Sequence, residues 1–173
     1  MEDILIIDDF LNKDELSYIQ DGNSYKDCYW QINNSSPIDG TNDVFDFNTT
    51  FLGKNLMDNE YYTSYLFNKI KKRFNEDYKL VNVYLNGYES LRHGSFHTDL
   101  DADRTVILYI TPWKPAWGGF TQFMISERDH TIVPPILGRL VNFKSDILHK
   151  AYAYCNQSCP MRITAAFKLK LCR

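Results

Sequence analysis

KLVNVYL (79–85) is the first of five β-rich runs in the second half of the chain; the others are TVILYIT (105–111), GFTQFMI (119–125), GRLVNF (138–143) and MRITAAFKLKL (161–171). Turn-forming residues separate these runs, as in LNG, TPWKP, WGG and VPP. Short strands at this spacing are typical of a sandwich or a jelly-roll barrel. We therefore predict a β-barrel core from about residue 78 to residue 173.

The residues before this core are predicted to contribute supporting helices. Asn12 and Glu15 have the spacing of a capping box, which predicts a helix after a short strand over Ile4–Ile7. The clearest helix covers 58–75, where one face carries Tyr62, Leu66, Ile70 and Phe74. These patterns indicate an α+β fold in a single domain over 1–173, with helical support over about 1–77.

Composition excludes several classes of protein. The net charge is −3 and the pI is about 5.8, so the basic surface that nucleic-acid phosphates require is missing. The first ten residues are acidic, unlike a signal peptide, and no apolar run reaches the length of about 20 residues that a membrane helix needs. We therefore expect a cytoplasmic protein without a membrane partner. Its four cysteines do not suggest a disulfide framework, and the CxxxC spacing over 155–159 is a weak zinc signal.

His97 and Asp99, in the triplet HTD, are the first candidates for a metal site. On a strand, residues two apart point to the same face, so an imidazole and a carboxylate would lie side by side. His149 follows the run GRLVNF and could reach them from another strand of the barrel. Two histidines and one carboxylate with open positions are the ligand set of non-haem Fe(II) oxygenases.

Arg162 and Thr164 lie on one face of the last β-rich run, thirteen and fifteen residues after His149. A guanidinium provides a two-pronged cationic site for a carboxylate, and the neighbouring hydroxyl adds one donor. A zinc hydrolase could use the same two histidines and carboxylate, but it would leave Arg162 without a role.

HTD (97–99), His149 and RIT (162–164) together resemble the 2-oxoglutarate/Fe(II)-dependent dioxygenases, and the prolyl-4-hydroxylase-like branch fits best. The resemblance covers about 78–170 and includes three longer runs: YLNGYESLRHGSFHTD (84–99), TVILYITPWKPAWGGFTQF (105–123) and GRLVNFKSDILH (138–149). The opening IIDDFLNKDE (6–15) is also similar to the usual start of this branch.

The resemblance implies a double-stranded β-helix, or jelly roll, with N-terminal helices packed on it. It implies that Fe(II) is bound by His97, Asp99 and His149, that 2-oxoglutarate and O2 are co-substrates, and that ascorbate is an optional reductant. The distal carboxylate of 2-oxoglutarate would contact Arg162, assisted by Thr164, Tyr109 and, in the pocket wall, Tyr84. The implied reaction is hydroxylation of an unactivated C–H, with a prolyl or other residue of a peptide as the substrate.

Other functions remain open on the sequence alone. The alternatives are a hydroxylase of a free amino acid or small molecule, a non-catalytic jelly-roll binding module, and a capsid-like structural jelly roll. The nucleic-acid demethylase branch carries a second arginine six residues after the first, where this chain has Lys168. Substrate residues are expected in the loops 21–57 and 86–96. The sequence does not indicate the oligomeric state or the roles of Trp113 and Trp117.

Overall fold

A computed structural model describes residues 3–23, 30–34 and 50–172 of the chain. Strands and helices follow one another in this order: β1 Ile4–Ile7, α1 Lys13–Tyr18, β2 Gln31–Asn34, β3 Thr50–Asn55, α2 Phe67–Phe74, β4 Tyr78–Tyr88, β5 Arg104–Tyr109, β6 Thr121–Met124, β7 His130–Val133, β8 Leu140–Lys144, β9 Leu148–Ala151 and β10 Arg162–Leu171. π-Helical turns follow α1 over Ile19–Asn23 and precede α2 over Tyr61–Leu66.

Two antiparallel sheets form the core of the molecule. The larger sheet has seven strands in the order β1-β8-β5-β10-β4-β3-β2, and the smaller has three in the order β7-β6-β9. The β-rich runs predicted from the sequence all form strands of these sheets, which is the mixed, jelly-roll architecture expected. β1, β2 and β3 extend the larger sheet, so the first 77 residues supply strands as well as helices.

β10 lies in the middle of the larger sheet, paired with β4 on one side and β5 on the other. Its side chains alternate between the two faces of the sheet. One set packs in the core under the helices: Ile163, Ala165, Phe167 and Leu169. The other set faces the smaller sheet and the interior of the barrel: Arg162, Thr164, Ala166 and Lys168. The same alternation therefore builds the hydrophobic core and supplies the polar interior.

The helical layer covers the outer face of the larger sheet. The predicted stripe is confirmed, because Tyr62, Leu66 and Ile70 are fully buried in that core and Phe74 packs against it. The predicted capping box is also present: Asn12 Oδ1 accepts from the Glu15 backbone N–H at 2.9 Å, and Glu15 Oε2 accepts from the Asn12 N–H at 2.7 Å.

Two other expectations concern the surface of the molecule. The sequence CYWQI (28–32) also predicts a strand: its last two residues belong to β2, and its first two lie outside the described residues. Within the described ranges, no helix combines the length and the apolar character that crossing a bilayer would require.

Candidate functional site

A single antiparallel bridge brings His97 and His149 face to face. His149 lies on β9, and His97 pairs with it at the open edge of the smaller sheet. The His97 N–H donates to the His149 carbonyl at 3.0 Å, and the His149 N–H donates to the His97 carbonyl at 2.9 Å. Side chains directly opposite in such a pair project from the same face. The two imidazole rings accordingly lie 4.3 Å apart, centre to centre.

Asp99 joins this pair from a loop rather than from a strand. The HTD triplet was expected on a strand, but the structure has only the one-residue bridge at His97. Asp99 is positioned instead by its backbone N–H, which donates to the Ser145 carbonyl at 2.7 Å. Its carboxylate accepts from the Thr105 hydroxyl at 2.7 Å, and that hydroxyl lies 3.0 Å from the Ser145 hydroxyl.

The three side chains converge through their metal-ligating atoms. His97 Nε2 lies 3.8 Å from Asp99 Oδ1, and His149 Nε2 lies 3.6 Å from Asp99 Oδ2. Within the part of the chain that the structure describes, this is the one group of three such residues whose donors lie within 4.8 Å of one another. The two cysteines of the CxxxC pattern, Cys155 and Cys159, belong to no such group among the described residues, and both are free thiols.

Hydrogen bonds hold both histidines in the form that a metal needs. His97 Nδ1 lies 3.0 Å from the Ser95 carbonyl oxygen, and His149 Nδ1 lies 2.9 Å from the Ile147 carbonyl oxygen. A carbonyl can only accept, so Nδ1 carries a proton in each ring and Nε2 is the nitrogen left to bind a metal. Burial, followed by the proximity of His97, lowers the pKa of His149 far below its ordinary value, so its imidazole is neutral at pH 7.

Asp99 supplies the negative charge of the group. Burial alone would raise its pKa, but the Lys168 ammonium and the two histidines outweigh burial and hold that pKa below its ordinary range. Lys168 Nζ forms an ion pair with Asp99 Oδ2 in the barrel interior. The carboxylate is therefore ionised at neutral pH and available as a ligand.

These donors fit a divalent first-row metal. Two imidazole nitrogens and a carboxylate oxygen converge here, and these are donor types that such metals bind in proteins. Two neighbouring ligand atoms that each lie about 2.1 Å from one ion are about 3 Å apart. The donor atoms here are 3.6 and 3.8 Å apart, so a small contraction of the group would let all three bind one ion. Two nitrogens and one carboxylate on one side of the ion form the facial set that suits Fe(II) and leaves other positions open.

Arg162 lies at another part of the same cavity. It is 1% exposed, and its Nε donates to the Gly119 carbonyl at 2.8 Å while Nη2 donates to Thr121 Oγ1 at 2.9 Å. The guanidinium carbon lies 5.5 Å from the centre of the Tyr109 ring and 5.8 Å from that of Tyr88. Among the described residues it forms no ion pair with a carboxylate. A buried permanent charge without a counter-ion is a site for an anion.

The turn before β6 positions the carbonyl that Arg162 uses. Gly119 has φ = 78°, and a Cβ at that position would lie 2.4 Å from Tyr154 Cδ1. Trp113 Nε1 donates to the Gly118 carbonyl at 2.7 Å, and the Trp117 ring lies 5.5 Å from that of Tyr154. The two tryptophans therefore contact this turn and the tyrosine packed on it.

Of the other predicted residues, Thr164 and Tyr84 line the cavity, and Tyr109 contacts two residues that line it. The Tyr109 hydroxyl lies 2.7 Å from Thr121 Oγ1, which also accepts from Arg162, so Tyr109 contacts the arginine site. Thr164, on β10, pairs with Tyr109 on β5, and Thr164 lines the cavity. Tyr84 also lines the cavity, but its ring lies 5.7 Å from Lys168 Nζ rather than against Arg162.

Sequence reasoning missed three residues of this cavity, Thr105, Thr121 and Lys168. Asn86 and Tyr88 fall within 86–96, which was expected to be a substrate loop, but both belong to β4. Tyr84, Asn86 and Tyr88 follow one another at every second position of β4, a signal that could have identified all three. The Asn86 Oδ1 atom is buried and finds no hydrogen-bond partner among the described residues, as expected of a wall that faces a polar ligand.

Comparison with known proteins gives structural matches only. No protein-family model matches the chain, and no curated protein matches its sequence. A 2OG-Fe(II) oxygenase family oxidoreductase from Burkholderia pseudomallei superposes with a TM-score of 0.73 at 10% identity, over 96% of this chain and 84% of that one. The chain has the fold of the 2-oxoglutarate/Fe(II) oxygenases.

Prolyl hydroxylases are among the other proteins with this oxygenase fold. One is the Trichoplax adhaerens prolyl hydroxylase in complex with a hypoxia inducible factor peptide, with a TM-score of 0.72 and 17% identity over 96% of this chain and 83% of that one. Another is the viral collagen prolyl hydroxylase of Paramecium Bursaria Chlorella virus-1 in its 2OG complex, with a TM-score of 0.65 and 15% identity over 97% and 96%.

Proposed function

We propose that this protein is an Fe(II)- and 2-oxoglutarate-dependent hydroxylase, with Fe(II) bound by His97, Asp99 and His149. The observation that carries the proposal is that one cavity contains this triad and the buried guanidinium of Arg162, which pairs with no carboxylate among the described residues. A dicarboxylic keto acid matches both features, because one end can chelate a metal while the other binds the guanidinium. The shared oxygenase fold supports this assignment.

Each residue has a separate task in this mechanism. Bound Fe(II) would supply the activation of O2 that couples decarboxylation of 2-oxoglutarate to oxidation of a C–H bond. His97 and His149 would each donate a lone pair from Nε2, and Asp99 would offset part of the metal charge. Arg162 binds the distal carboxylate and Thr121 orients Arg162. The aromatic rings of Tyr88 and Tyr109 exclude water from the guanidinium and so strengthen its attraction for an anion.

We further propose that the substrate is a residue of a peptide, with proline as the first candidate. The prolyl hydroxylases that share the fold support this choice, and one of them is a complex with a peptide. Free amino acids and other small molecules are the competing class, and mass spectrometry for the gain of one oxygen atom distinguishes them. Proline-containing peptides should be hydroxylated where free proline is not.

The first experiment tests the cofactors without knowledge of the substrate. Metal-free protein is titrated anaerobically with Fe(II) and then with 2-oxoglutarate, and the visible charge-transfer band of the chelate is recorded. The band should form in the wild type and in His130→Ala, whose imidazole is exposed on β7. It should be lost in His149→Ala. A folded wild-type protein that produces no band would overturn the proposed function.

A further inference from the structure

Lys168 is a buried cation that the proposed mechanism does not yet use. It lies on the interior face of β10, six residues after Arg162, and is 4% exposed. It pairs with Thr105 on β5 and with Asn82 on β4, next to a shift of one residue in the pairing of β10 with β4. Such bulges redirect side chains near functional sites. The strand thus carries two cations into one cavity.

The ammonium of Lys168 contacts the proposed metal ligand directly. Nζ forms an ion pair with Asp99 Oδ2, which is the oxygen that faces His149 at 3.6 Å. It also lies 3.5 Å from Thr105 Oγ1, the hydroxyl that donates to the same carboxylate oxygen. Asp99 is the one carboxylate that pairs with Lys168 in the described part of the chain. The Lys168 ammonium therefore neutralises the Asp99 carboxylate, as a bound metal ion would.

We propose that Lys168 sets the balance between the two ligands of the site, because it weakens metal binding and strengthens binding of the anionic co-substrate. It neutralises Asp99 in the metal-free protein, opposes metal binding by its own charge, and stabilises the dianionic keto acid once the metal is present. The inference rests on the proposed function, because it concerns the same metal and the same 2-oxoglutarate. Lys168 is a positioning residue in this scheme: it acts through Asp99 and through its charge in the cavity.

The charges of the cavity explain the direction of the effect. Asp99, Arg162 and Lys168 together contribute a net charge of +1 before any ligand binds. A divalent metal raises that charge to +3, which a dianion returns to +1. Without Lys168 the corresponding charges are 0, +2 and 0, so metal binding is less strongly opposed and the dianion is less strongly attracted. Repulsion between such charges is substantial inside a protein, where the effective dielectric constant is low.

The test measures binding rather than turnover. Mn(II) is titrated calorimetrically into metal-free wild-type protein, and 2-oxoglutarate is then titrated into the Mn(II)-loaded protein, so that the two affinities are measured separately. The variants are Lys168→Met and Lys168→Gln, which remove the charge, and Lys168→Arg, which keeps it. Lys170→Met is the matched control, because Lys170 is exposed two residues further along the same strand.

Charge removal should have two effects on these affinities. Lys168→Met should bind Mn(II) at least about fivefold more tightly than wild type, and Mn(II)-loaded Lys168→Met should bind 2-oxoglutarate at least about fivefold more weakly. Lys168→Arg and Lys170→Met should retain both wild-type affinities. Metal-free Lys168→Met should also melt at a lower temperature than Lys170→Met, since Asp99 loses its buried partner. If Lys168→Met does not fold, Lys168→Gln takes its place.

Two negative results have different meanings. If the wild type binds both Mn(II) and 2-oxoglutarate but the neutral variants bind each ligand with wild-type affinity, the role of Lys168 is refuted and the proposed function stands. If the wild type binds neither ligand, the proposed function itself fails.

Discussion

Arg162 is a permanently charged side chain in the barrel interior whose described contacts are a carbonyl, a hydroxyl and two aromatic rings. None of these contacts carries a negative charge, so the guanidinium retains its capacity for a carboxylate. Its planar fork can bind both oxygens of a carboxylate at once, which an ammonium cannot do. Shape as well as charge should therefore determine how tightly 2-oxoglutarate binds.

Replacement of Arg162 by lysine tests that distinction. Because charge-assisted hydrogen bonds contribute about 1.5–3 kcal/mol, Arg162→Lys should weaken 2-oxoglutarate binding to the Mn(II)-loaded protein by roughly ten- to a hundredfold. Titration calorimetry measures the change, and Arg128→Lys, in an exposed turn between β6 and β7, should bind as wild type does. Equal affinity in Arg162→Lys and wild type would mean that the distal carboxylate binds elsewhere.

At the scale of elements, the turn before β6 depends on a backbone conformation that glycine adopts readily. Gly119 combines a positive φ with close contact to Tyr154, and its carbonyl is a partner of Arg162. Gly138 also has a positive φ, 80°, but a Cβ there would meet nothing closer than 3.7 Å. Substitutions at these two glycines therefore distinguish the energetic cost of a positive φ from the cost of a steric clash with Tyr154.

Gly119→Ala should accordingly be much more damaging than Gly138→Ala. Both substitutions place alanine at a positive φ, which costs about 1 kcal/mol or more. Only Gly119→Ala must also displace the Tyr154 ring, so we expect at least about 2 kcal/mol of additional loss in the free energy of unfolding. Urea denaturation provides the comparison, and equal losses in the two variants would show that Tyr154 moves aside freely.

The start of α1 links two helices through one carboxylate. Glu15 caps the backbone at Asn12 and accepts from Lys69 and from the Tyr65 hydroxyl, both near or within α2. Burial alone would raise the pKa of Glu15, but the hydrogen bonds from Lys69, Asn12 and Tyr65 outweigh burial and hold that pKa below its ordinary value. The protonated form is therefore disfavoured in the folded protein.

This lowered pKa predicts the sign of a pH effect. Above the ordinary glutamate pKa of about 4.3, the contacts of Glu15 contribute fully to stability, and they are lost as the pH falls through the lower, folded-state pKa. Glu15→Gln should therefore lower stability by about 1 kcal/mol at pH 7 and flatten its decline between about pH 5 and pH 3. Asp14→Asn, in the same helical turn, is the control for thermal melts across this range. If Glu15→Gln shows the same loss of stability at acid pH as the wild type, Glu15 is not the cause of that loss.

At the scale of the whole molecule, ligand binding should stabilise the folded chain. Unfolding separates His97 from His149, and only the folded barrel brings them together with Arg162. A ligand at 100 times its dissociation constant adds about 2.7 kcal/mol of stability. For a domain of this size, that corresponds to a rise of about 5–10 °C in melting temperature.

We expect this rise when Mn(II) and 2-oxoglutarate are added together, and its reversal by a chelator. Differential scanning fluorimetry of the wild type and His149→Ala provides the test, because the variant lacks one metal ligand. An equal rise in the variant would show that the stabilisation arises outside the triad.

The features predicted best from the sequence are those whose residues have a characteristic type and spacing along the chain. HTD, His149 and RIT could be selected because a ligand set and an anion site have characteristic residue types in a characteristic order. The helix over 58–75 was predictable because its apolar stripe is strictly periodic. In contrast, Thr121 and Lys168 act through contacts that exist only after the two sheets close on each other. A lysine near the end of an amphipathic strand is usually exposed, so nothing local indicated its contact with Asp99.

The central position of β10 has a consequence for biosynthesis. Of the described strands it is the last to leave the ribosome, yet it joins β4 and its neighbours to β5 and its neighbours. Until residues 162–171 have been synthesised, the larger sheet consists of two separate halves, each with an unpaired edge of the kind that promotes aggregation. A nascent chain that stalls before this strand would lack both interior cations and would be a natural client for molecular chaperones.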